Sequence, residues 1–334
     1  MDQESITKGI LSGIVDHYIQ EIARDPNRSI RKLLDMAECT SDGPTQKICY
    51  QMMQQMAADQ SSPYYDMIHF LVTHTNPQTI KQFGINLGHN AWTFGSGKMR
   101  RAVEQNNETV SWAVMIDRTA CPERFDFNEI KALVERGRKL DVYAWLLMTN
   151  GMPDEWDEYA EMFRTYSDSV FGLLVFPEAL TDEIIEEAAD IPNLMIILKT
   201  DSPDWQVCAD HLLERGLLFS ACKTISGDED AAEVLSGSWM EELLPHHPLI
   251  AFTLADDALS EETAAKIKEY MWNVRLDQQY PILPSDLISD FVIINQLVAH
   301  RDIIYRVDPD GSVSESRKYL FGKGPLRCGD LFCL

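Results

Sequence analysis

The feature that most constrains this chain is an alternation, sustained from about residue 110 to residue 277, of short wholly apolar runs with amphipathic stretches of helical period. The apolar runs are Val110–Ile116, Val142–Met148, Val170–Phe176, Leu194–Leu198, Leu217–Cys222 and Leu249–Leu254. Between and after them lie Phe127–Leu140, Asp154–Tyr166, Thr181–Ala189, Trp205–Arg215, Ala231–Leu244 and Ser260–Asp277, each with apolar residues on one helical stripe. A strand that is apolar on both faces must be covered on both faces, and a helix-length connection lets the next strand run parallel. Six such units predict an α/β fold, open or partly closed as a partial (β/α)6 barrel. Thr181 and Ser260 stand before acidic first turns and Gly216 stands just before a strand, which are the helix caps such units need.

The flanks read differently. From residue 5 to about 92 apolar residues recur at helical spacing, as in Ile10, Leu11, Ile14, Val15 and Tyr18, with breaks at Asp25–Pro26–Asn27, Ser41–Pro44, Ser61–Pro63 and Asn76–Pro77. Several short helices are expected, giving an all-helical N-terminal domain over 1–103, the barrel over 104–280 and a small C-terminal extension over 281–334. Within the extension, Ile303–Val307 and Ser312–Glu315 flank Asp308–Pro309–Asp310–Gly311, a hairpin signal.

Composition narrows the partners. In 334 residues Lys and Arg total 29 against 53 Asp and Glu, a net charge of −24, which repels phosphate backbones and anionic headgroups within a Debye length. The basic clusters, Lys98–Arg101 and Arg317–Lys318, are too short for a groove. No nucleic acid and no membrane are expected as partners. No apolar run approaches the ~20 residues of a membrane helix, and MDQESITKGI lacks signal-peptide architecture, so cytoplasmic residence is expected. Seven cysteines read as reduced thiols rather than staples.

Several local patterns carry less than they suggest. Phe94–Gly95–Ser96–Gly97–Lys98–Met99 has the look of a phosphate loop, but Trp92 occupies the first glycine position and Met99 follows the lysine, so an inter-domain turn is expected there. His300–Arg301–Asp302 lacks the other parts of a kinase loop. His246–His247 precedes Pro248 at a helix-to-strand connection and reads as loop. Cys208 and Cys222 read as core residues, and Cys328 with Cys333 makes at most half a metal site.

In a β/α barrel the strand C-termini converge on one mouth, so polar residues there are placed to meet a ligand. The first strand ends in Asp117–Arg118 with Cys121 close behind, and the second in Thr149–Asn150–Gly151. The third leads to Glu178, the fourth into Lys199–Thr200–Asp201, the fifth into Lys223–Thr224 and the sixth into Asp256–Asp257. Asp117, Arg118, Cys121, Asn150, Gly151, Lys199, Asp201, Lys223 and Thr224 are therefore the ligand-binding candidates. Helix capping and loop solvation are the competing explanation of the same residues.

With these residues placed, the chain resembles radical SAM enzymes that carry a helical N-terminal extension and a SPASM-like C-terminal segment. The likeness runs through Phe83–Asn90, Ser111–Cys121, Phe127–Tyr143, Glu214–Ser220, Tyr280–Asp286 with Asp290, and Ile304–Val313. It implies a partial barrel of the radical SAM type. In that family three thiolates spaced Cys-x-x-x-Cys-x-x-Cys hold a [4Fe–4S] cluster whose free iron chelates S-adenosylmethionine (SAM). Here Cys121 is followed by Pro122, Glu123, Arg124, Phe125 and Asp126, with no second or third thiolate. The family's glycine-rich SAM motif corresponds to Asn150–Gly151–Met152–Pro153, its motif after the fourth strand to Lys199–Ser202, and its auxiliary-cluster cysteines to Leu297 and Ser316.

One thiolate does not hold a cubane, and without it no electron reaches the SAM sulfonium. What the resemblance implies is thus a cluster-less homologue with no cofactor expected, no [4Fe–4S] cluster in particular, and SAM binding left open. A non-catalytic binding or scaffolding role beside an active radical SAM enzyme or a peptide substrate follows. Two alternatives stand: a barrel enzyme with acid–base chemistry on Asp117, Lys199, Asp201 and Lys223, or a radical SAM enzyme with unusual cluster ligands recruited from Cys328 and Cys333.

Overall fold

The computed structural model describes residues 3–40, 44–106, 111–119, 126–151, 155–317 and 319–332. Helices α1 (Gln3–Arg24), α2 (Pro26–Thr40), α3 (Pro44–Met56) and α4 (Tyr64–His74) break where the sequence places proline and polar turns. Ile22, Ile30, Tyr65 and Val72 close a small core of their own. A longer helical run follows: α5 (Pro77–Ile85), a wide π-helical stretch Asn86–Gly95, and α6 (Ser96–Asn106). Asn76 caps it by accepting from Gln78 N at 2.9 Å, with Pro77 at the first helical position.

The Gly-Ser-Gly-Lys segment lies inside this run, not in a turn as the sequence suggested. The reason is packing. A Cβ on Gly95 would lie 2.6 Å from Asp141 O and 2.7 Å from Asn90 O, so the glycine lets the helix press against the turn at Asp141. Lys98 fastens the contact with an ion pair to Asp141 at 3.0 Å. On the same run Asn86 donates to Ser167 O and Ser169 O at 2.8 and 2.9 Å, and Asn90 to Asp168 O at 2.8 Å. Two buried amides thereby hold the loop that leads into the third strand.

Strands β1 (Ala113–Arg118), β2 (Ala144–Thr149), β3 (Val170–Val175), β4 (Leu194–Lys199), β5 (Phe219–Ile225) and β6 (Ile250–Ala255) pair parallel in sequence order. The α/β expectation holds, and the sheet goes further than six strands. β7 (Leu283–Asp286) adds a seventh parallel strand beyond β6, and β8 (Tyr305–Val307) pairs parallel to β1 on the opposite edge. The expected hairpin is present as β8 and β9 (Ser312–Arg317), extended by an antiparallel β10 (Leu320–Arg327). β7 and β10 end the sheet and, among the described residues, do not pair with each other, so the barrel is open.

Helices α7 (Phe127–Lys139), α8 (Trp156–Thr165), α9 (Asp182–Ala188), α10 (Trp205–Glu214), α11 (Asp228–Leu235), α12 (Ser238–Leu243) and α13 (Glu261–Leu276) follow the strands in turn. Their caps include an Asp126/Glu129 capping box on α7, Thr181 on α9 and Ser260 on α13. Strand alternation sorts the core into two layers. Val114, Ile116, Leu147, Phe171 and Ile196 join the large cluster shared with these helices. Met115, Met148, Leu174, Ile197, Cys222 and Phe252 form the inner cluster. A last helix, α14 (Leu287–Ala299), supplies Leu287 and Ile288 to that inner cluster. It also accepts from Trp112 at the foot of β1, through Asn295 Oδ1 and Phe291 O, both at 3.0 Å. The helix thus links the β7 side of the sheet to the foot of β1.

Candidate functional site

Inner-face parity carries from the strands to the mouth. Asp117 shares the parity of Met115, and Lys199 that of Met195 and Ile197, so both belong to the interior side. Asp117 Oδ1 accepts from Thr119 N at 2.9 Å and from its hydroxyl at 2.6 Å. Asn150 Nδ2 donates to Thr119 O at 2.6 Å and ties the ends of β1 and β2 together. Gly151 N–H reaches Thr149 Oγ1 at 3.3 Å.

Lys199 is buried at the end of β4, with Nζ 4.2 Å from the centre of the Phe176 ring. Among the described residues its ammonium has no hydrogen bond and no ion pair. Burial lowers its pKa, while Cys222, Asp201 and Asp117 pull it back up. Asp201 stands on the rim, where its carboxylate accepts from Thr224 N at 3.3 Å. The protein around that carboxylate raises its pKa, against the Thr224 amide and the charges of Lys223 and Lys199. Cys222, fully buried beneath them, has its thiol pushed up by burial.

Two of the sequence candidates turn the other way. Arg118 follows Ile116 to the helix side, where its guanidinium pairs with Glu155 at 2.5 and 3.0 Å and donates to Tyr159 Oη at 2.7 Å. Lys223 follows Ala221 outward and pairs with Glu233 of α11 at 2.9 Å. Both fasten helices to the sheet. Cys121 lies outside the described residues, as do Met152, Pro153 and Cys333.

At the mouth lies a cleft of about 550 Å³ between the end of β1 and the C-terminal hairpin. Asp117, Asp257, Asp308 and Asp310 face it, with Arg306, Lys323 and Phe321. Arg306 organises the cleft. Its Nε donates to Asp308 Oδ1 at 2.8 Å, its Nη atoms reach Asp257 at 2.6 and 3.2 Å, and its guanidinium lies 4.5 Å over the Phe321 ring. Burial alone would lower the Arg306 pKa, but the hydrogen bonds and charges of Asp257 and Asp308 more than reverse that. Asp308 also accepts from Ser314 and, at 3.4 Å, from Ser312. Ser312 donates its N–H and hydroxyl to Asp310 at 2.9 and 2.5 Å, which holds the Asp310 carboxyl below its usual range.

Sequence reasoning placed Asp257 at the mouth but read Arg306, Asp308 and Asp310 only as a hairpin. The signal it passed over is the pairing of Asp308 and Asp310 with Ser312 and Ser314, four polar residues converging where a plain turn needs fewer. A second hollow of about 350 Å³ lies at the opposite end of β5, against α4, where Phe70 stacks on His247 at 4.0 Å.

Among the described residues the thiol donors do not gather at the mouth. Cys222 is in the inner cluster, whereas Cys208 on α10 and Cys328 beyond β10 belong to the helix-side core. Among the described residues no group of three or more His, Cys, Asp or Glu side chains is arranged to hold a metal ion. The described thiols are too dispersed to hold an iron–sulfur cluster together.

Fold and site together define an open α/β barrel with an acid-lined mouth braced by a buried arginine. No family model matches the sequence, and no curated protein matches it. Similar solved structures are crystal structures of SuiB from Streptococcus suis. The complex with precursor peptide SuiA is 9% identical over 65% of this chain and 62% of that chain, with a TM-score of 0.46. The likeness thus spans less than two thirds of SuiB in that complex. SuiB alone is 10% identical and SuiB bound to S-adenosylmethionine 9%, each over 74% of this chain and 75% of that chain with a TM-score of 0.44. Among the described residues no helix is long and apolar enough to cross a membrane.

Proposed function

We propose that this chain is a non-catalytic relative of radical SAM enzymes that binds a cationic ligand at the barrel mouth and acts beside an active radical SAM enzyme or its peptide substrate. The observation that carries the reading is the charge of the cleft: four carboxylates face it, and its buried cation, Arg306, is already neutralised by two of them. Asp117 has no ion pair among the described residues, and Asp310 has only a loose 4.0 Å contact with Arg327 beside Lys323, so the cleft keeps an excess of carboxylates to meet an incoming positive charge, in a protein whose net charge is −24. A lysine- or arginine-bearing peptide segment fits that chemistry, and so does SAM, which carries a sulfonium and an ammonium.

The sequence supports the non-catalytic half of the reading. Cys121 stands alone in the loop where the family needs three thiolates. Calorimetric titration with SAM, with a Lys/Arg-rich peptide and with a Glu-rich peptide tests the binding half. Binding of a cationic ligand, weakened about three- to ten-fold by Asp117→Asn or Asp310→Asn and by salt, is expected; equal binding of the Glu-rich peptide would refute it. Anaerobic reconstitution with iron and sulfide tests the rest. A brown protein with about four irons that cleaves SAM would overturn the non-catalytic assignment.

A further inference from the structure

Lys199 is a buried cation that nothing in the binding site uses. It ends β4 on the inner face, above an apolar floor of Met148, Leu174 and Ile197. Most buried lysines are held by a carboxylate. This one, 8% exposed, has an aromatic face, Phe176 at 4.2 Å, and among the described residues its ammonium has no hydrogen bond or ion pair. Its neighbours Lys223, Arg118 and Arg306 are each held by a carboxylate within 3.0 Å. The contrast is local, because Asp117 and Asp201 are near enough to act on Lys199 through space yet engage Thr119 and Thr224 instead.

An amine left without a hydrogen-bonding acid at the mouth of a barrel is set up as a nucleophile. We propose that Lys199 forms a reversible imine with a neutral aldehyde or ketone that enters the barrel mouth. The neutral amine attacks the carbonyl carbon, forming the C–N bond, and a proton passes to the oxygen to give a carbinolamine. Loss of that oxygen as water, with a proton supplied from Asp201, breaks the C–O bond and leaves the protonated imine beside the Asp201 carboxylate, which can take the proton back to give the neutral imine; no oxidant or reductant is consumed. Burial lowers the lysine pKa and enlarges the neutral fraction, and the raised pKa of Asp201 keeps more of it protonated. Anionic oxo acids are disfavoured, because the Asp117 charge acts on the same amine and the floor is apolar. The substrate class is therefore a small uncharged carbonyl compound with an apolar chain.

This inference is independent of the cationic-ligand reading, and its test uses a different readout. The full chain is incubated near neutral pH with butanal and sodium cyanoborohydride, and the alkylated lysines are mapped by mass spectrometry against time. Lys199 is expected to be modified first, ahead of every surface lysine, since a lowered pKa enlarges its neutral, nucleophilic fraction. Pyruvate at the same concentration is expected to label Lys199 poorly. Labelling spread over surface lysines with no excess at Lys199 would overturn the proposal, and wild-type protein alone decides this point. Lys199→Met, checked for native circular dichroism, is expected to remove the fast phase and leave the slow surface phase intact; a fast phase that persists in it would refute the assignment.

Discussion

The Arg306 guanidinium and the Asp257 carboxylate meet at the barrel mouth, Nη2 to Oδ2 at 2.6 Å and Nη1 to Oδ1 at 3.2 Å. One belongs to β8 and the other to the turn after β6, with β1 to β5 standing between them in the sheet. A flat sheet would hold these residues far apart, since each strand adds ~4.8 Å. Their contact records how far the sheet curls, and it joins the C-terminal hairpin to the far side of the barrel.

Breaking that link has a defined cost. The Arg306 side chain is 12% exposed and that of Asp257 49%, so Asp257→Asn leaves a mostly buried guanidinium with Asp308 as its remaining carboxylate. A loss of about 1–2 kcal/mol is expected, read from the urea midpoint. An unchanged midpoint would mean that the hairpin is held by its own strand pairing alone.

Arg118 offers a sharper asymmetry. Its side chain is 3% exposed while that of Glu155 is 33% exposed. Glu155→Gln takes the bidentate carboxylate away from a buried guanidinium and is expected to cost about 2–3 kcal/mol. Arg118→Met instead leaves a carboxylate that water can reach, and is expected to cost about 1 kcal/mol or less. Chemical denaturation of the two variants gives the order. The reverse order would return Arg118 to the list of residues available to a ligand.

Gly95 and Gly84 lie on the same helical run and respond oppositely to one methyl group. At Gly95 the added carbon meets two backbone oxygens at 2.6 and 2.7 Å, whereas nothing lies within 4 Å at Gly84. Gly95→Ala is expected to destabilise by about 3 kcal/mol through overpacking. Gly84→Ala is expected to stabilise by about 0.5–1 kcal/mol through helix propensity. Thermal unfolding of the pair checks both signs at once.

These residues also show what the sequence could and could not convey. The strands β1 to β6 were legible because each is apolar on both faces and bounded by turn signals. β7 was not, because Pro284 argues against a central strand; it is tolerated where it lies, on an edge that pairs with β6 alone. The segment with glycines at 95 and 97 read as a turn because close helix packing, which only the tertiary structure reveals, selects glycine at 95 just as a turn would. At the mouth, strand ends named the right neighbourhood, but with both faces apolar nothing told which parity faced inward. Arg118 and Lys223 therefore looked equivalent to Lys199, and only the structure turns them toward Glu155 and Glu233. The acid cleft itself depends on β8 pairing beside β1, a contact between residues almost two hundred positions apart that no local pattern encodes.

Asp286 tests whether the interior of the barrel tolerates charge. It caps α14 by accepting from Ser289 N at 3.0 Å, and Thr253 Oγ1 approaches its other oxygen at 3.3 Å. Burial raises its pKa, the Ser289 hydrogen bonds oppose that, and nearby Asp290 adds to it. A folded-state pKa above the unfolded value of ~3.9 means that the folded protein binds the proton more tightly. Its contribution to stability is then fully present below that pH and is lost as pH rises through the folded value. Asp286→Asn preserves the cap and removes the titration. The variant is therefore expected to gain stability relative to wild type as pH rises from about 4 to 7, measured as the difference between two urea-unfolding series. A variant that instead loses ground over that range would show the carboxylate to be stabilised by its hydrogen bonds more than it is penalised by burial, and the α14 junction would have to be counted among the charged anchors of the fold.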